Sequence, residues 1–154
     1  MPEPLSINSR IIESLYCEAL VLADEVRGAF TLSGRGDTAD ADEDLIRLAL
    51  SCEALRTTTR MMHALAWLLN YRAYFKGELS EFQLRRHGRL TPDHPGTDDE
   101  RRALLPPEVR ELVQATERFH ARLSRLDRGW RQVDPMAPSA IARLRERLAS
   151  RVAG

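Results

Sequence analysis

The chain has 154 residues, 43% of them hydrophobic and 6% aromatic, with 8 glycines and 8 prolines. A single domain fits this length, because a compact chain of this size buries roughly 70% of the surface its unfolded form exposes. Collagen-like, low-complexity and wholly disordered classes are excluded, and the balance of 23 basic against 23 acidic residues points to neither nucleic acid nor membrane.

The N-terminal residues lack the cationic start and apolar run of a signal peptide. The longest apolar run, Ala64 to Leu69, is far short of a membrane span. A cytoplasmic location is the expectation. Cys17 and Cys52 have no CxxC or zinc-finger spacing and are expected to be buried core thiols.

The first periodic segment runs from Ser6 to Thr31. Ile12, Leu15, Ala19, Leu22 and Val26 recur at steps of three and four, which predicts an amphipathic helix. Leu32-Ser-Gly-Arg-Gly-Asp ends it. The acids from Asp37 to Asp44 then suit the start of a second helix, where carboxylates oppose the positive dipole end. A calcium loop does not fit, because position twelve falls on Leu48 or Ser51 and the mid-loop glycine is missing.

The second helix is predicted from Ala41 to Lys76. Leu45, Leu48, Cys52, Leu55, Thr59, Met62, Ala66, Leu69 and Ala73 form an unbroken heptad seam. Its second half carries another apolar face through Met61, Leu65, Leu68, Tyr71 and Phe75, with Trp67 and Tyr74 added. A helix apolar nearly all round must be covered on more than one side. The expectation is that Met61, Leu65, Leu68, Tyr71 and Phe75 are the self-association face of a homodimer, the alternative cover being residues 77–105 folded back. The Thr57-Thr-Thr59 run suggests hydroxyls bonded back to carbonyls one turn earlier, the alternative being a polar patch for docking a partner.

Gly77 suits a helix C-terminus, and Ser80 with Gln83 has the form of a capping box that opens a short helix to Arg86. Residues 88–107, with Pro92, Pro95, Pro106 and Pro107, read as a long irregular connection. A third long helix opens at Pro107, and Val109, Leu112, Thr116, Phe119, Leu123, Leu126 and Trp130 form its seam. Asp134-Pro-Met-Ala-Pro138 breaks it. A short basic helix with Ile141, Leu144, Leu148 and Val152 on one side follows as a mobile tail. The fold class expected is all-α: an elongated up-down three-helix bundle over residues 1–134, with a short extra helix and a basic C-terminal tail over 135–154.

Chemistry is hard to place on this pattern. His63, His87, His94 and His120 form neither HExxH nor HxH, and Glu117-Arg-Phe-His120 matches a di-iron motif once with no second copy. There is no GxSxG, P-loop or GxGxxG. No catalytic residue, cofactor or metal is therefore expected. Arg118, Arg122, Arg125 and Arg128 share their helix with Glu111, Glu117 and Asp127 and read as a solvated face. Residues 101–154 carry 12 basic and 6 acidic residues, which keeps nucleic-acid binding by this half as the alternative function.

The stretch from Arg56 to Ser80, with Thr59-Arg60, Ala66-Trp-Leu-Leu69 and Gly77-Glu78 at its cores, resembles the central helix of the RcdA family, the regulators of CtrA degradation. The helices before and after it fit the same layout. The resemblance implies an alphaproteobacterial, non-enzymatic adaptor that forms a homodimer of three-helix bundles. It implies partners: a ClpX-type unfoldase with its peptidase, a receiver-domain adaptor, and substrate proteins that include cell-cycle regulators. Docking of partners is expected at the tail arginines Arg143, Arg145 and Arg147, with no role for a membrane. The acidic insert from Asp37 to Asp44 and the tail depart from the family pattern.

Overall fold

The computed structural model describes residues 7–33, 41–94, 99–132 and 140–152. Most of those residues are helical, with no strand among them. Three long helices dominate: α1 (Ser9–Ser33), α2 (Ala41–Phe75) and α5 (Pro107–Gln132). Two short ones, α3 (Glu81–His87) and α4 (Asp99–Ala103), lie between α2 and α5, and α6 (Ala140–Val152) follows. The all-α class stands as expected, as do the long helices. The 134/135 boundary and the acids at Asp37 and Asp40 lie outside the described residues.

Local chemistry sets the helix ends. The Asn8 side chain accepts from the Ile11 amide at 3.0 Å and caps α1. Asp42, Glu43 and Asp44 occupy the first turn of α2, where they oppose the dipole. Gly77 takes φ of +78° just past α2, the left-handed conformation that a side chain disfavours. The Ser80 hydroxyl accepts from the Gln83 amide while Gln83 Oε1 accepts from the Ser80 amide, so the expected capping box opens α3.

The helix directions differ from the expected alternation. α1 runs antiparallel to α2: Glu13 pairs with Arg72 at one end, and Ala29 and Phe30 pack by Ala49 and Leu50 at the other. α5, however, runs parallel to α2. Ala49 and Leu50 share a cluster with Val109 and Val113, Arg60 reaches Thr116, Trp67 reaches Asp127, and Tyr71 meets the Trp130 ring. The numbers rise together along both helices. The cause is the connection from Lys76 to Pro106, which carries the chain back along the bundle before α5 begins.

That return path is fastened by apolar anchors. Leu84 and Leu90 enter the main core beside Trp67, Tyr71, Phe119 and Leu123, while Leu105 enters the second cluster with Val109 and Val113. The main core also takes Ile12, Leu15 and Ala19 from α1. The fold-back of residues 77–105 thus supplies part of the cover that the second apolar face of α2 requires.

Gly88 closes α3 for a steric reason, since its φ of −90° is open to any residue. A Cβ there would stand 2.5 Å from the Leu84 carbonyl oxygen and 2.7 Å from Leu84 Cδ1. Leu84 is a core anchor, so neither atom yields easily. Gly88→Ala is expected to lower stability by about 2 kcal/mol, the usual range for an overpacked site, as read by urea denaturation. Gly129→Ala, where nothing lies within 4 Å of the new methyl, should not destabilise.

Candidate functional site

The two apolar faces of α2 differ in burial, and the face expected at a dimer contact is the buried one. Met61, Leu68 and Tyr71, expected on a self-association face, are buried inside the single bundle against α1, α5 and the returning segment. Leu65 is half-buried against the same core, and Phe75 is exposed at the helix end beside Tyr74. That face is therefore core and offers no dimer surface through its central residues. The reason is volume: Trp67 and Tyr71 are large aromatics, and each buries far more apolar area than an aliphatic side chain.

The heptad seam lies on the opposite side of α2 and faces solvent. Leu48 is 61% exposed, Leu55 71%, Met62 63% and Leu69 48%. Leu45 and Ala66 are exposed as well, while Cys52, Thr59 and Ala73 are partly covered. A run of large apolar side chains in water is the mark of an interaction surface. Cys52 lies on this seam, and Cys17 is exposed on α1, so neither thiol is the buried core residue expected.

Between α1 and α5 runs an open groove of about 650 Å³, lined by Cys17, Val21, Leu22, Ala115 and Phe119. An ion pair between Glu18 and Arg122 bridges it. Arg118, Arg125 and Arg128 are exposed on α5, as a solvated face requires.

The buried polar groups serve the returning segment. Asp127 accepts from the Trp67 indole at 3.0 Å and from the Leu90 amide at 3.4 Å, and pairs with Arg131. Arg131 in turn donates to the Arg85 carbonyl at 2.7 Å. Arg60 is buried and donates to Asp93 at 2.6 Å and to the Thr116 hydroxyl at 3.0 Å. His120 Nε2 stands 3.0 Å from the Thr91 carbonyl, which can only accept, so that nitrogen carries the proton. Glu117, half of the apparent di-iron motif, pairs with Arg102 of α4 at 2.6 Å. Each of these groups ties residues 85–102 to α2 or α5. Among the described residues no group of three or more His, Cys, Asp or Glu is placed to hold a metal.

The Thr run is split by its position. Thr59 bonds back to the Leu55 carbonyl at 2.8 Å, as expected, whereas Thr57 is buried and Thr58 exposed. On α6 the residues from Arg143 to Val152 are all exposed. Leu144, Leu148 and Val152 make an apolar stripe, and Arg143, Arg147 and Arg151 follow at i, i+4, i+8 along its flank, with Arg145 on the other side. The sequence reading missed Arg60 and Asp127, whose roles depend on contacts 33 to 60 residues away. A buried-type position holding an acid in the α5 pattern was the one available signal.

The fold is thus an all-α bundle whose recognisable features are exposed helical surfaces. The chain belongs to the family described as a protein of unknown function, DUF1465, which matches residues 4–152. No curated protein and no solved structure matches the chain. No helix among the described residues is long and apolar enough to cross a membrane.

Two outcomes follow from the buried polar groups. Asp127→Ala leaves the Trp67 indole and the Leu90 amide without their acceptor, so stability should fall by about 3 kcal/mol in chemical denaturation, and amide exchange near Leu90 should accelerate. Burial, reinforced by the Asp127 charge, holds the Tyr71 phenol well above the ordinary tyrosine range. The folded chain keeps this phenol neutral where the unfolded chain ionises it near pH 10. Its contribution to stability is therefore complete below about pH 10 and declines above it; thermal melts from pH 8 to 11 should show this, and Tyr71→Phe should flatten the decline.

Proposed function

We propose that this protein is a non-enzymatic adaptor of regulated proteolysis, which holds substrate proteins such as cell-cycle regulators at a protease of the ClpXP type. The reading rests on the resemblance of residues 56–80 to the RcdA family, and one observation carries it to a mechanism. α6 is a basic amphipathic helix whose described side chains are all exposed, joined to a well-packed bundle by the seven residues 133–139. A bundle that occupies one partner and a connected helix that occupies another bring the two together by effective concentration, with no covalent chemistry.

In this mechanism the bundle supplies rigidity and α6 supplies contact. Leu144 and Leu148 present apolar area to a groove on a partner, and Arg143 and Arg147 pair with carboxylates at its rim. A receiver domain or an acidic segment of a substrate has the complementary charge. Arg145 flanks the same stripe on its other side and is available to the opposite rim.

Truncation after Asp134 should leave the bundle's circular dichroism and melting temperature within about 2 °C of the full chain. It should reduce degradation of a delivered substrate by a ClpX-type unfoldase with its peptidase at least about tenfold. Unchanged turnover would exclude α6 as the tether. Capture of nucleic acid that is released steeply with salt would instead favour the basic half as a nucleic-acid surface.

A further inference from the structure

We propose that the groove between the returning segment and α5 binds a nucleoside polyphosphate, its phosphates held between Arg89 on one wall and Arg128 on the other. Binding is read in the purified chain alone, so it stands or falls apart from the adaptor role.

The helical repeat builds one wall. Ser124, Arg128 and Gln132 stand at i, i+4 and i+8 and share one stripe of α5. They line a groove of about 470 Å³, and Arg89, Leu90 and Pro92 of the returning segment form its opposite wall. A second hollow of about 310 Å³ adjoins it at Pro92, His120 and Arg128 and adds Arg125. The Leu90 amide on Asp127 and the Thr91 carbonyl on His120 hold the two walls together. No local spacing brings Arg89 to Arg128; the fold-back does.

Charge sets what the groove attracts. The carboxylates that line the two hollows are all spent: Asp127 on Trp67, Leu90 and Arg131, Asp93 on Arg60, and Glu117 on Arg102. Arg89, Arg125 and Arg128 have no hydrogen-bond or ion-pair partner among the described residues. Arg131 bonds to Asp127 and to the Arg85 carbonyl, yet its buried Nη2 has no acceptor. A buried donor left over in this way is ordinarily matched by water or an ion. Donors thus outnumber acceptors along the groove, and a cleft lined by one sign of charge focuses its field on an anion. Exposure by itself leaves an arginine solvated. Arg118 is such a case, since it is exposed on the same helix but lies in the other groove, with Glu18 and Glu25 of α1. Arg89 and Arg128 differ because they share a concave site with no free acid.

The donor set selects the ligand. A guanidinium group takes phosphate oxygens through two parallel hydrogen bonds. Two such forks on facing walls suit neighbouring phosphates, whereas a lone carboxylate engages one of them. The groove falls within the range of about 300–1,000 Å³ usual for small organic ligands, which is more room than a phosphate group fills. Leu90 and Pro92 offer an apolar wall for a base and sugar. The half-buried Ser124 hydroxyl and the Gln132 amide offer further donors on the α5 side. A ligand bound here bridges the returning segment to α5 and fastens the same path that Asp127 and Arg60 hold.

The test is titration calorimetry on the full chain with ADP and GTP, beside pyrophosphate and inorganic phosphate. At least one nucleotide should bind one per chain, at least about tenfold more tightly than pyrophosphate, which lacks the base and sugar. Arg89→Ala and Arg128→Ala should each weaken it at least about tenfold. Both side chains are exposed, so the circular dichroism of each variant should match the wild type. Arg118→Ala should bind as the wild type does. Nucleotide at ten times its Kd should raise the melting temperature by about 4 °C and slow amide exchange near Leu90. Absence of nucleotide binding at millimolar concentration overturns the proposal. So does binding that is unchanged in both groove variants, or weakened equally by Arg118→Ala. Pyrophosphate binding as tightly as the nucleotides overturns the nucleoside assignment, and a single-stranded oligonucleotide binding more tightly than either would make this a nucleic-acid surface instead.

Discussion

α5 runs the same way as α2, and this geometry depends on the buried Asp127 and Arg60. Parallel neighbours cannot be joined by a tight turn. The chain must return roughly 35 Å from the end of α2 to the level where α5 begins. A return path of that length is costly in entropy unless it is fastened. Asp127 holds it at Leu90, Arg60 at Asp93, His120 at Thr91 and Glu117 at Arg102. These groups accept or donate where the backbone and side chains of the segment would otherwise leave buried polar atoms unmatched. Leu84, Leu90 and Leu105 add the apolar half of the same attachment.

This strap changes what the rest of α2 is free to do. It covers the helix on the α5 side, α1 covers the other, and the aromatic face of Trp67 and Tyr71 is closed within one chain. The heptad seam is left outside. The two faces differ in kind. The inner one is built of large side chains packed from three directions, and the outer one mixes large with small along a single line. The first suits a globular core; the second suits one long helix laid alongside.

The proposed adaptor role draws on the same division. A bundle with its own closed core can present the seam and remain joined to α6 without unfolding to do so. Tethering asks for two contact surfaces on one chain, which a fastened bundle and a connected amphipathic helix provide. The arginines of α6 stand outside the bundle, whereas Arg60, Arg102 and Arg131 are consumed in holding it together.

The sequence by itself determined the three long helices and the short helix after Ser80, but not α4, which lies where an irregular connection was expected because five residues carry too little periodicity to show. The capping box at Ser80 and Gln83, the glycine past α2, the proline at the start of α5 and the Thr59 back-bond were all legible, because each is a matter of residues within four positions of one another. It also determined that α2 has two apolar faces, since periodicity alone shows that. Only the tertiary structure decided which face is inside. A one-dimensional pattern is blind to what packs opposite, and the face expected at a dimer contact is inside because it has more volume and has partners on α1, α5 and the strap. The direction of α5 and the roles of Arg60 and Asp127 were likewise decided in three dimensions, because they depend on contacts across 33 to 60 residues that no local spacing encodes.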